Sequence, residues 1–330
     1  VSARRVAAVD CGTNTVKLLL ADLDPDTGQG HELVRTSRMV RLGQGVDETG
    51  RLSEAALGRL FSALEEYAEV LAGHDVTAIR FCATSAARDA SNADVFAEGV
   101  RARLGVAPEV IDGAEEAALS YDGATRGLTG VDPPLLVVDI GGGSTELVLG
   151  NGPGNGLGNG LGNGLGNAHD LRAGHSLDIG AVRLTERCLR GDPPQEQEVA
   201  DAVRTIEAAL DGLPEHGVDV RAARSLVVLS GTGLTVAAAA LDLPDLDRDA
   251  LHRAVVGVEA AQEAAMRLVH MRVAERADLG YMTPGREDVI GGGALVLHRI
   301  LDRMRVGTFR VSVSDILDGI AWSCLAQGPR

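Results

Sequence analysis

The segment LLVVDIGGGSTELVLG, residues 135–150, decides the fold. Four apolar residues lead to Asp139 and Ile140, three glycines follow, and Ser-Thr-Glu opens a second apolar run. Near the start, VAAVDCGTNTVKLLLAD, residues 6–22, has the same design: apolar residues, Asp10, Gly12, then another apolar run. Each reads as a buried strand, a tight glycine turn and a second strand. A lone Asp-x-Gly serves as readily to cap a turn. Two in the same setting point instead to a repeated site. Glycines let an anion approach the backbone, where successive N–H groups point at its oxygens.

The surrounding pattern repeats as well. Runs at 5–11, 16–22 and 31–42 read as strands, and a helix follows with Ser53 as its N-cap. A strand at 76–84, a helix from 93, a short strand at 108–112 and a helix from 114 complete the unit. The order restarts at 135, with strands at 135–141, 144–150 and 169–179, a helix from Gly180, then strand, glycine turn and helix at 225–240. The chain therefore reads as two α/β domains, 1–130 and 131–330, with the last helix a candidate to pack back on the first. The turns are expected to face each other across a cleft. Residues 151–167 form a Gly-Asn-Gly-Leu repeat, read as an insertion at a hairpin tip with no chemistry of its own.

The length of 330 residues suits two domains. Hydrophobic residues make up 45% and aromatics 2%, so the core is built from Ala, Val, Leu and Ile. No apolar run reaches the ~18 residues of a spanning helix, and no secretory leader is read at the N-terminus. Cys11, Cys82, Cys188 and Cys324 have neither metal-ligand spacing nor a disulfide framework. They read as buried thiols of a cytoplasmic protein. The net charge of −16 argues against a general nucleic-acid binder. Lys17 is the only lysine. An anionic substrate must then be held locally, by N–H groups, a cation and a few arginines.

Thr13, Asn14 and Thr15 in one turn, and Ser144 and Thr145 in the other, add polar donors. Asp10 and Asp139 repel phosphate directly, so they imply a cation such as Mg²⁺ or an ordered water between them and the anion. Glu146 starts the next strand on the same side. Glu115 and Glu116 head a helix, where neighbours diverge by ~100°, so at most one faces a ligand and the other is solvated. Gly231-Thr232-Gly233 is a third strand–glycine–helix turn. Gly291–Gly293 suits close helix packing at least as well as a ligand. CATSAAR, residues 82–88, has the C-x5-R spacing of a cysteine-dependent phosphatase. It lacks a loop glycine, and Phe81 stands where a histidine would help ionise the thiol. Arg88 is therefore preferred over Cys82.

AVDCGTNTVKLL, ATSAARDASN, DGAEEAALSY, VVDIGGGSTEL, SLDIGAVRLTE, SGTGLT and PGREDVIGGGALVL occur in the order seen in the exopolyphosphatase / guanosine pentaphosphate phosphatase family. The chain resembles its short two-domain type over essentially its whole length. That family belongs to the actin, sugar kinase and heat-shock chaperone superfamily. The resemblance implies duplicated ribonuclease-H-like domains and removal of the terminal phosphate of linear polyphosphate. It implies Glu116 as catalytic base and Arg88 as a grip on substrate phosphate. Asp139 and Glu146 would hold the metal, Glu146 also acting in catalysis. Asp10, Gly12, Thr13, Asn14, Gly141, Gly142, Gly143, Ser144, Thr145, Gly231 and Thr232 would bind phosphate. The expected cations are Mg²⁺ or Mn²⁺, with K⁺ a further candidate. The expected partners are inorganic polyphosphate, guanosine pentaphosphate or tetraphosphate, and a second copy as a homodimer, with no nucleic acid and no membrane. A guanosine pentaphosphate 5′-phosphatase, or a non-catalytic binder of guanosine tetra- or pentaphosphate, is the alternative. SDILDGIAW departs from the family by placing Asp318 before Gly319 without the usual preceding arginine. Few positive subsites imply a preference for short chains, with Arg35, Arg38 and Arg41 either outer contacts or a solvated strand face.

Overall fold

The computed structural model describes residues 3–152 and 171–326. From residue 153 on, the Gly/Asn repeat lies outside the described residues. The chain divides into two compact units. The first holds the residues up to Arg126 together with those from Ile316 on, and the second holds Gly127–Gly152 and 171–315.

In the first unit, β1 (Arg4–Cys11), β2 (Thr15–Asp24) and β3 (Gln29–Met39) form an antiparallel meander. β4 (Ala78–Ala83) adds to β1 in parallel, and β5 (Glu109–Val110) adds to β4, giving the order β3-β2-β1-β4-β5. The helices are α1 (Val46–Thr49), α2 (Glu54–Ala72), α3 (Ser85–Arg88), α4 (Ala93–Leu104) and α5 (Gly113–Thr125). The Ser53 hydroxyl caps α2 by accepting from Ala56 N at 3.2 Å.

The strands obey the two-residue period. Ala7, Val9 and Cys11 of β1 join a core with Leu57, Leu60 and Leu64 of α2. Val6 and Ala8 join the opposite core with Leu119 of α5, and Asp10 continues that face at the end of the strand. From Val6 to Cys11 β1 is buried on both faces, which accounts for the apolar run Val6–Val9.

In the second unit, β6 (Leu135–Ile140), β7 (Thr145–Gly150) and β8 (Leu171–Leu177) repeat the meander. α6 (Ala181–Cys188) and α7 (Glu196–Asp211) follow. β9 (Ser225–Leu229) runs parallel to β6 and feeds α8 (Ser230–Ala240). α9 (Arg248–Leu251), β10 (Val255–Gly257), α10 (Val258–His270), α11 (Val273–Ala277), α12 (Ile290–Arg303) and β11 (Thr308–Val311) complete it. The order β8-β7-β6-β9-β11-β10 repeats the first sheet, with β11 in the place of β5 and β10 added at the edge. The fold is thus a duplicated ribonuclease-H-like α/β unit.

α13 (Ile316–Ser323) belongs to the first unit, where it packs on α5, β1 and β2. A side chain at Gly319 would come within 2.1 Å of Leu119 O, so the α13–α5 approach depends on glycine there. Asp318, the departure from the family pattern, accepts from Arg35 Nη2 at 2.6 Å. Arg35 also pairs with Glu32, and Arg38 pairs with Glu66. Of the two alternatives for these arginines, outer contacts or a solvated strand face, the second describes Arg38, whose pairing with Glu66 is exposed, while Arg35 is half-buried between its two carboxylates. Cys11, Cys82 and Cys324 are buried free thiols, and Cys188 is half-buried. Among the described residues no helix is long and apolar enough to cross a membrane.

Candidate active site

In the second unit, Asp139 sits one residue before the end of β6, and Gly141–Ser144 turns the chain into β7. Gly141 N donates to Ser144 O at 3.0 Å. The start of α6 grips the outside of this turn. Ala181 N donates to Gly141 O at 2.9 Å, Val182 N to Gly142 O at 2.8 Å, and Arg183 Nε to Gly143 O at 2.8 Å. A Cβ on Gly180 would lie 2.5 Å from Gly142 O, so only glycine permits this approach. The loop carbonyls are thereby turned onto the protein. The N–H groups of Gly142, Gly143 and Ser144 have no backbone acceptor among the described residues, and successive N–H groups in a turn can bind an anion.

The first unit contains the same turn, with Gly12 N donating to Thr15 O at 3.0 Å. Asn14 O accepts from Val40 N and Arg41 N, and Thr13 O accepts from Gly43 N. Thr13 is buried against Gly43, where a Cβ would come within 2.2 Å of its methyl group.

The two aspartates differ in what faces them. Asp10 is the register partner of Lys17, whose Nζ lies 3.0 Å from Asp10 Oδ2. Asp139 is the register partner of Glu146. Glu146 in turn faces Ser176 on β8, whose hydroxyl donates to Glu146 Oε1 at 2.7 Å. Two carboxylates directly opposite on adjacent strands repel unless positive charge offsets them. That donor set suits Mg²⁺, which takes one or two carboxylates and fills its shell with water and phosphate oxygens. Among the described residues no third Asp, Glu, His or Cys joins the pair.

On α5 the two glutamates diverge. Glu116, 6% exposed, accepts from Arg88 Nη1 at 3.1 Å, and the same nitrogen donates to Ile111 O at 2.8 Å. Glu115 instead pairs with buried Arg80 at 2.5 Å. The expectation of a solvated Glu115 is corrected to a fold contact, since Arg80 also holds Glu109 and the Ser323 hydroxyl. Burial pushes the Cys82 thiol up, so it stays protonated and is a poor nucleophile.

Two residues expected to bind phosphate also make contacts within the fold. The Thr145 hydroxyl donates to Ile179 O at 2.5 Å. Thr232 is buried, with its Oγ1 2.6 Å from where a Cβ on Gly293 would lie. Gly231 has a different neighbour. A Cβ there would fall 1.5 Å from Arg286 Nη1, so the guanidinium fills the space beside the bare backbone. Burial pulls the Arg286 guanidinium below its ordinary value, while the carboxylates of Asp315 and Asp139 oppose that. Its Nε is buried without a partner among the described residues. Ser230, beside it, has a left-handed φ of 60°, a strained conformation for a non-glycine residue, and its hydroxyl donates to Ile140 O. Lys17 and Arg286 were absent from the sequence-derived site. The hairpin count around Gly12 signals Lys17. Nothing local signals Arg286.

The sequence profile of the Ppx/GppA phosphatase family matches residues 24–326. The chain belongs to that family. It is 44% identical over 330 residues to "Exopolyphosphatase 2" of Mycobacterium tuberculosis, covering 97% of this chain and 98% of the relative. Among solved structures it is similar to an exopolyphosphatase-like protein, at a TM-score of 0.89, 38% identity and 98% coverage of both chains. It is also similar to the Ppx/GppA family member of Aquifex aeolicus, at a TM-score of 0.77, 28% identity and 97% coverage of both. A Ppx/GppA phosphatase is a hydrolase, so this chain is one.

Proposed function

We propose that this phosphatase is an exopolyphosphatase, releasing the terminal phosphate of short linear polyphosphate by attack of water. The Gly141–Ser144 turn supports the reading: the carbonyls of Gly141, Gly142 and Gly143 are tied to the start of α6, and the N–H groups of Gly142, Gly143 and Ser144 have no backbone acceptor among the described residues. The 44% identity to a protein named exopolyphosphatase supports the substrate class.

Glu116, oriented by Arg88, removes the proton from the attacking water. Arg286 and the turn N–H groups hold phosphoryl oxygens as charge moves onto them. Asp139 and Glu146 would hold Mg²⁺, which when bound supplies positive charge against the phosphate oxygens. Thr145 and Thr232 keep the turns in shape.

Phosphate release should be compared on short-chain polyphosphate, guanosine pentaphosphate and ATP. Release from short polyphosphate should be fastest, and Glu116→Gln should lower it by about 10²–10⁴-fold while substrate still binds. Faster release from guanosine pentaphosphate would reassign the substrate, and wild-type turnover by Glu116→Gln would remove the base.

A further inference from the structure

A second concentration of positive charge lies at the other end of the second sheet. Residues 221–224, leading into β9, and 305–308, leading into β11, line a hollow of about 450 Å³. β6, β9 and β11 run parallel. The hollow is therefore at their N-terminal ends, while the Gly141 and Ser230 turns are at the C-terminal ends. β9 spans five residues, which separates the two by roughly 17 Å.

Three of the eight lining residues are arginines, Arg221, Arg224 and Arg305, and none is acidic. All three are exposed. Among the described residues none of their guanidinium groups has a hydrogen-bond or ion-pair partner. Their neighbours behave differently: Arg299 and Arg303 share Glu207, and they also hold Asp302 and Asp211. The carboxylate of Asp219, close in sequence, accepts from the backbone N–H of Arg221. The N–H groups of Arg305, Val306 and Gly307 also have no acceptor among the described residues. Like charges gathered around one hollow repel, and nothing in its lining offsets them.

The planar fork of arginine matches phosphoryl oxygens two at a time. A nucleic acid needs a broad basic footprint, which a chain of net charge −16 does not offer. We propose that Arg221, Arg224 and Arg305 form a second anion site, remote from the glycine turns, for a multiply charged phosphoanion, whether a free small one or a segment of a condensed phosphate chain.

Arginine footprinting reads this site directly, independently of any turnover. The full chain is treated with limiting p-hydroxyphenylglyoxal at constant ionic strength, and each arginine is quantified by peptide mass spectrometry. Methylenebisphosphonate, which cannot be hydrolysed, should slow modification of Arg221, Arg224 and Arg305 several-fold and leave exposed Arg51 unchanged. Long-chain polyphosphate forms the second arm, and stronger protection per phosphate would assign the site to a chain segment. Unchanged rates at the three arginines, equal slowing at Arg51, or better protection by duplex DNA would overturn the proposal. In equilibrium dialysis, the triple variant R221A/R224A/R305A should lose one class of bisphosphonate sites, with kcat on short polyphosphate unaltered. An undiminished number of bound ligands would also reject it.

Discussion

Asp139 and Glu146 face each other directly across β6 and β7, in the place where the first unit sets Asp10 against Lys17. The duplicated hairpin thus carries an internal ion pair in one copy and two like charges in the other. Positive charge is built into the first turn. In the second, the carboxylate of Asp139 interacts with the buried Arg286 guanidinium.

Metal dependence follows from that asymmetry. Activity should vanish in excess chelator and return with Mg²⁺ or Mn²⁺. Asp139→Ala and Glu146→Ala should raise the metal concentration needed for half-maximal rate more than Asp10→Ala does, because Lys17 already neutralises Asp10. Full activity in chelator would sink the two-carboxylate site.

Lys17→Met should lower stability by about 1–3 kcal/mol, since Asp10 is 4% exposed and loses the charge that faces it. The double variant D10N/K17M should recover most of this loss. Urea midpoints of the three proteins decide it, and additive losses in the double variant would mean the pair is not coupled.

Cys82→Ser should retain most of its kcat, while Arg88→Ala should lose most of it. The Cys82 thiol is buried and held protonated, whereas Arg88 contacts Glu116. A phosphocysteine trapped in the wild-type enzyme would reverse this assignment.

Gly231→Ala should act as an indirect mutation of Arg286. The new methyl group would occupy the position of Nη1, and a flexible side chain can move without unfolding the turn. Gly231→Ala and Arg286→Ala should each raise KM, and the double variant should be no worse than either. Multiplicative effects would show that Gly231 matters for another reason.

The second unit should lose stability on mild acidification. Burial lowers the pKa of His175, His252 and His298, and in each case it is the largest cause. The buried Nδ1 atoms of His252 and His298 have no partner. A depressed folded pKa means that stability is complete above the unfolded value of about 6.5 and declines as pH falls through the folded values. Denaturant midpoints should drop between about pH 7 and 5, and H252Q/H298Q should flatten the curve. A flat wild-type profile would count against it.

The strand–turn–strand repeats were legible because buried strands need apolar runs and tight turns need glycine, both of which are local signals. The helix capped by Ser53 was legible for the same reason. β10 and β11, three and four residues long, were missed because TFRV and VVG are too short to show a period. The ion pairs of Arg35 and Arg38 were not legible because their carboxylate partners, Asp318 and Glu66, are distant in sequence. Arg286 was quoted within a motif but given no role, since its contact with Gly231 joins segments 55 positions apart and leaves no pattern in either.

The return of α13 to the first unit has a consequence for synthesis. Ile316, Leu317, Ile320 and Cys324 fill one face of the sheet that β1, β2 and β4 begin. A ribosome adding about 5–20 residues per second makes that helix roughly 10–40 s after residue 126. Throughout that interval the core of Val6, Ala8, Leu19 and Cys82 has Leu119 of α5 but lacks the side chains of α13. The earliest-made domain is therefore the last to receive its full set of core residues.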